Sequence, residues 1–129
     1  MGPDFITNLK EMISGFDTEY VNILIYGVDT INWITITDIK KITLYRVLQE
    51  FLINMKKHSE ASLVVLSFKI YENNLYVEYT DNGIGVAIEK LNSKNGLHNV
   101  ENRILAIKGT ITFDSKSSKG FKSSIIFPI

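Results

Sequence analysis

The chain has no cysteine among its 129 residues. That absence excludes a disulfide-stapled scaffold and any thiolate metal site. Nor is there an excess of charge of either sign, since 14 basic and 14 acidic residues cancel. Non-specific nucleic-acid binding needs a basic surface, so that function class is disfavoured. No apolar stretch approaches the roughly 20 residues that span a bilayer. No secretory leader is visible, and no repeat, low-complexity run or Pro/Gly-rich linker divides the chain. What is present is ordinary globular composition, 45% apolar and 22% charged, in a length that suits one domain with a real core. A cytoplasmic domain that makes no membrane contact of its own is expected. Met1-Gly2-Pro3 reads as an artificial start, which predicts a single excised domain over residues 4–129.

Periodicity sets the expected elements. Phe5, Leu9, Ile13 and Phe16 recur at helical spacing and predict a first helix ending near Gly15. Residues 20–26 are rich in β-formers and close at Gly27, and residues 33–36 suit a short second strand. Residues 38–58 form a long helical pattern in which Leu44, Leu48, Phe51 and Met55 line one face, widened by Val47 and Leu52. Two strands follow over residues 62–71 and 75–80. They are joined by Glu72-Asn73-Asn74, where Asn tolerates positive φ. Val64, Leu66, Phe68 and Ile70 alternate onto one face, as do Leu75, Val77 and Tyr79. After a polar connection over residues 86–95, Leu97, Val100, Ile104 and Ile107 mark another helix, terminated by Gly109. A last hairpin pairs residues 110–114 with 121–127. This order predicts a two-layer α+β sandwich with helices on one face of a sheet.

Three segments carry chemistry. In Thr80-Asp81-Asn82-Gly83-Ile84-Gly85, a carboxylate at a strand end can accept from an exocyclic amine such as that of adenine. Gly83 and Gly85 let backbone press against a base or turn through positive φ. On the long helix, Glu50, Asn54, Lys57 and His58 share a stripe at spacings of four and three. Magnesium takes oxygen ligands and keeps waters, so the Asn54 amide oxygen plus phosphates would suffice to anchor it. Lys57 can neutralise phosphate charge. Glu50 can polarise a water, and His58 can donate to phosphate or cap the site. In the third segment, Gly96-Leu97 opens a helix whose free N–H groups suit phosphate, with His98 beside them. The bland alternatives are a plain Asp-Asn-Gly turn, a solvated helix face and an ordinary loop-to-helix junction. Trp33 reads as core and Arg103 as an exposed ion-pairing residue. His58 and His98 have neither the spacing nor the further ligands of a zinc site.

In that order the three segments are recognisable. The run from Leu44 to Ser59 resembles the N box of bacterial sensor histidine kinases. Asp81-Asn82-Gly83-Ile84-Gly85 resembles their first glycine box. Gly96-Leu97-His98-Asn99-Val100-Glu101-Asn102-Arg103 resembles the second, in the form typical of kinases that pair with helix-turn-helix response regulators. The resemblance runs from about Thr37 to the C-terminus. It implies the catalytic and ATP-binding domain of the gyrase/Hsp90/histidine kinase/MutL superfamily, with its mostly antiparallel mixed sheet. It also implies Asn54 as magnesium ligand, Asp81 as adenine reader, and Gly83, Ile84 and Gly85 as the wall of the base pocket. Gly96, Leu97 and His98 would close over the phosphates, assisted by Lys57 and His58, beneath a short ATP lid over residues 86–95. Glu50 stands where ATPase relatives keep a water-activating carboxylate.

Two departures from the family pattern bear on function. Ser118-Lys119-Gly120-Phe121 replaces the usual Gly-x-Gly-Thr, so any water bridge at the base falls to Ser123 or Ser124. The only histidines are His58 and His98, both inside nucleotide motifs, so the phosphoacceptor histidine is expected on a separate dimerisation domain. A response regulator would be an indirect partner, and membrane tethering of the parent is left open. The competing readings are a stand-alone serine kinase of the anti-sigma-factor type and a non-catalytic module that retains a nucleotide pocket.

Overall fold

The computed structural model describes residues 4–83, 96–115 and 120–129. Helix α1 (Phe5–Ser14) buries Phe5, Leu9 and Ile13, one residue per turn. Strand β1 (Asn22–Tyr26) follows, then two short 3-10 turns, Val28–Thr30 and Trp33–Thr35. Helix α2 (Asp38–Asn54) leads to strands β2 (Leu63–Tyr71) and β3 (Asn74–Asp81). Helix α3 (Gly96–Ala106) and strands β4 (Thr110–Ser115) and β5 (Phe121–Pro128) complete the described chain. The five strands make one sheet in the order β1-β2-β3-β5-β4. β1 runs parallel to β2 and every other pair is antiparallel. A parallel pair needs a crossover, and α2 lies within it.

Alternation decides which face is covered. Val64, Leu66 and Phe68 of β2, Leu75, Val77 and Tyr79 of β3, and Ile125 and Phe127 of β5 join the buried residues of the three helices in one core. Ile70 belongs to the same row by register but is 40% exposed. The expected two-layer α+β sandwich is the observed fold. None of the helices among the described residues is long and apolar enough to cross a membrane.

Four local details differ from the periodicity. Trp33–Thr35 is a 3-10 turn rather than a strand. The Thr35 hydroxyl donates to the Asn32 carbonyl, a local bond that competes with sheet pairing. The Trp33 indole meanwhile enters the core against Phe5 and Phe68 and donates to the Val28 carbonyl. The long helical pattern is not one α-helix either: α2 stops at Asn54 and continues as a π-turn over Met55–Ser59, ended by Glu60 in the left-handed region. Hydrogen bonds of the wider i→i+5 type interrupt the row that carries Glu50 and Asn54 before it reaches Lys57. The β2–β3 turn is the two-residue Glu72-Asn73, both at positive φ, the geometry whose twist suits a hairpin. At the end of α3 the left-handed residue is Lys108, not Gly109. Gly109 is required for space, since a Cβ there would lie 2.7 Å from the Ile126 carbonyl oxygen.

Helix α2 also buries two polar residues that apolar periodicity does not select, Lys41 and Thr43. The Lys41 stem lies in the core while its ammonium reaches Asp38, 3.5 Å away, and sits over the Phe5 ring.

Candidate nucleotide site

The buried row of β3 runs Leu75, Val77, Tyr79 and ends on Asp81. A period of two therefore delivers a carboxylate to the helix-covered side of the sheet, where it is only 8% exposed. Its Oδ1 accepts from the Gly83 N–H at 3.0 Å and its Oδ2 from the Tyr79 hydroxyl at 2.9 Å. Phe121 is its partner across the β3–β5 ladder. Burial pushes the Asp81 carboxyl above the ordinary carboxylate range, and the bonds from Gly83 and Tyr79, with the nearby Phe121 backbone, pull it part of the way back. Burial, then the charge and hydrogen bond of Asp81, push the Tyr79 phenol far above its usual value. Tyr79 thus stays a donor.

The neighbouring residue faces the other way. The Asn82 side-chain oxygen accepts from the backbone N–H groups of Ser62 and Leu63, both at 2.9 Å, and its amide donates to the Ser62 hydroxyl. Asn82 therefore ties the segment after β3 to the start of β2. Gly120 holds the opposite side. It adopts φ +84°, and a Cβ on it would lie 2.0 Å from the Asp81 carbonyl oxygen. Any side chain there would push β5 away from the end of β3.

An aromatic cluster connects this corner to α2. The Phe51 ring lies 5.2 Å from Tyr79, 5.7 Å from Phe121 and 6.3 Å from Phe113. Such pairs contribute about 0.5–1.5 kcal/mol each beyond their buried area. Phe51 directly follows Glu50 and precedes Asn54 by one turn, so packing at the cluster sets where that end of the helix stands. Glu50 and Asn54 are half-buried and Lys57 is exposed. Among the described residues, neither the Asn54 amide nor the Glu50 carboxylate has a side-chain partner.

The donor set bears on what could bind. The described residues contain no group of three or more His, Cys, Asp or Glu side chains able to cage a metal. One amide oxygen at the end of α2 suits a cation that brings most of its own ligands, as magnesium does with phosphates and water. The residues present thus fit a magnesium–nucleotide complex better than a resident metal ion.

A family model described as histidine kinase-, DNA gyrase B- and HSP90-like ATPase matches residues 39–129. The chain belongs to that family. Among curated relatives of this ATPase domain, the sensor histidine kinase ComP of Bacillus subtilis is 34% identical over 88 residues, covering 66% of this chain and 11% of that protein. The oxygen sensor histidine kinase NreB of Staphylococcus carnosus is 31% identical over 87 residues, again 66% of this chain and 25% of the relative. The chain therefore spans a quarter or less of these relatives' length. Two solved structures share the fold. The histidine kinase domain of the Erythrobacter litoralis EL346 blue-light activated histidine kinase superposes with TM-score 0.69 at 16% identity, over 96% of this chain and 58% of that one. The Acinetobacter baumannii histidine kinase AdeS gives 0.62 at 20% identity, over 97% and 61%.

Within the ATPase domain the N-box segment occupies α2 and the π-turn after it, and Asp81 closes β3 with Gly83 two residues on. Ile84, Gly85 and the connection over residues 86–95 lie outside the described residues. Gly96 opens α3, while the side chains of His58, Leu97 and His98 lie outside what is described. Of the two serines considered for the base, Ser123 pairs with Tyr79 and is buried on the Asp81 face, donating to the Thr112 carbonyl. Ser124 pairs with Glu78 on the opposite face, so it cannot reach the Asp81 side. Residue spacing alone gives Tyr79, Asn82 and Gly120 no role at this corner. The alternation of β3 was the available signal for Tyr79, since it puts Tyr79 and Asp81 in one row.

Proposed function

We propose that this domain binds Mg·ATP and supplies the γ-phosphoryl group to a histidine on a separate dimerisation domain, as a catalytic part of a sensor histidine kinase. The observation that carries the reading is the buried, hydrogen-bonded Asp81 carboxylate, packed through Phe51 to the helix that bears Asn54. Asp81 accepts from the adenine amine, and Gly83, Ile84 and Gly85 shape the wall beside the base. The Asn54 oxygen holds magnesium, which when bound offsets phosphate charge. Lys57 and His58 meet the phosphates from the π-turn, and Gly96, Leu97 and His98 meet them from the start of α3. Glu50 orients water at the metal or the attacking group.

In the transfer, an imidazole nitrogen of the acceptor forms the bond to phosphorus as the bond to the ADP oxygen breaks, and the imidazole proton leaves. Positioning and charge neutralisation dominate such a step. Residues 4–129 act as one cytoplasmic domain, with a response regulator downstream of the phosphorylated histidine. Support comes from the family and from the names of the relatives, which are sensor histidine kinases.

Calorimetry with ATP and ADP tests the reading. Binding is expected with magnesium present, and Asp81→Asn should weaken it roughly ten- to hundredfold, the worth of a hydrogen bond to a charged group. Absence of magnesium-dependent binding to the unaltered chain would overturn it. Transfer of label to a serine of an added anti-anti-sigma protein would instead favour the serine-kinase reading.

A further inference from the structure

We infer that Tyr79 is a positioning residue for base selection, acting through Asp81 and touching no part of the nucleotide itself. The inference rests on the nucleotide reading above and adds to it a residue and a specificity.

Tyr79 and Asp81 stand two apart on β3, so their side chains leave the same face roughly 6.6 Å apart along the strand. A phenol spans that distance, and the observed contact is 2.9 Å to Oδ2. The ring is 1% exposed and held between Phe51 at 5.2 Å and Phe121 at 6.0 Å. It has no room to swing, so its hydroxyl is directed at one carboxylate oxygen permanently.

Counting acceptor positions gives the consequence. A carboxylate offers about four lone-pair positions. Tyr79 and Gly83 occupy two of them, one on each oxygen. One position remains on each oxygen, and because a bond at each end prevents the carboxylate from turning, the directions of those positions are set by the protein. An exocyclic amine presents an N–H to the position that faces the base. A keto oxygen at the same place on the base would set lone pair against lone pair. Removing the Tyr79 hydroxyl frees a second position on Oδ2, where water can bind, and loosens the direction of the one that reads the base. Charge is retained; orientation is what suffers.

The experiment compares Tyr79→Phe with the unaltered chain by calorimetry, titrating Mg·ATP and Mg·ITP separately. Inosine carries a keto oxygen where adenosine carries the amine. The unaltered chain is expected to prefer ATP. In Tyr79→Phe, affinity for ATP should fall roughly five- to tenfold with little change for ITP, so that the ratio narrows. Equal losses for both nucleotides would mean that Tyr79 only supports the fold, and an unchanged ATP affinity would show that its hydroxyl has no part in selection. Either result overturns the inference while leaving ATP binding intact. Failure of the unaltered chain to bind either nucleotide removes the underlying reading instead. Should the variant not fold, proton NMR of the unaltered chain decides: the protected Tyr79 hydroxyl proton should shift on adding ATP and not on adding ITP, and a resonance unmoved by ATP overturns the inference.

Discussion

The two polar ends that meet the Phe51 cluster are built on opposite plans. At the end of β3, Asp81 is buried and hydrogen-bonded by Tyr79 and Gly83, with Asn82 tied to β2 and Gly120 pressed on the Asp81 carbonyl. At the end of α2, Glu50 and Asn54 are half-exposed without side-chain partners among the described residues, and the backbone leaves the α-helix for a π-turn. A group that reads one flat base gains from a rigid mount, because an error in direction is an error in specificity. Groups that meet a hydrated cation and flexible phosphates lose less by being adjustable, since water can fill a gap. On the proposed function, selection falls to the rigid end and charge handling to the open one.

The largest effect should come from breaking the rigid end. Gly120→Val places a β-branched side chain at φ +84° with its Cβ 2.0 Å from the Asp81 carbonyl oxygen. A cost of about 3 kcal/mol is expected, lowering the melting temperature by roughly 10 °C. Gly15, at φ −63°, is the control, and Gly15→Ala should change melting little. Next in size, Asn54→Ala should leave stability within about 0.5 kcal/mol while abolishing the advantage that magnesium gives to ATP binding. If the variant still binds better with magnesium, the metal is held elsewhere.

Smaller still is the effect of Lys57. Lys57→Ala should weaken ATP binding by about three- to tenfold at low ionic strength, and the gap should close as salt is raised, because the side chain is exposed. The smallest prediction concerns pH. Asp81 has a folded-state pKa raised by burial, so the folded chain holds its proton more tightly than the unfolded chain. Its contribution to stability is fully present below the ordinary carboxylate value, about 4, and is lost as pH rises through the folded value. Unfolding of the unaltered chain and of Asp81→Asn, measured by denaturant across that window, should show the unaltered chain losing stability relative to the variant as pH rises. A difference independent of pH would mean that Asp81 titrates normally.

Most of the architecture is legible in residue spacing, and the exceptions have physical reasons. Strict alternation from Leu75 to Asp81 announces both the covered face of β3 and a carboxylate at its end. The same alternation includes Tyr79, whose hydroxyl could have been recognised as within reach of Asp81. Residues 33–36 look strand-like because isoleucine and threonine favour β structure, yet the insertion of Trp33 into the core and the local Thr35 bond prevail. The π-turn after Asn54 is invisible to a period of 3.6, because it leaves the apolar pattern through Met55 intact. Gly120 resembles any hairpin glycine until the Asp81 carbonyl is seen beside it. That contact joins residues far apart in sequence, and no local pattern records it.

The central claim is that nucleotide binds at the corner shared by Asp81 and the end of α2. Backbone amide NMR of the chain titrated with Mg·ATP locates the ligand directly. The account predicts the largest shifts at Gly83, Phe121 and Asn54, with little change on the uncovered sheet face. Largest shifts in the cleft of that uncovered face, around Ser67, Tyr76 and Ser124, would contradict it.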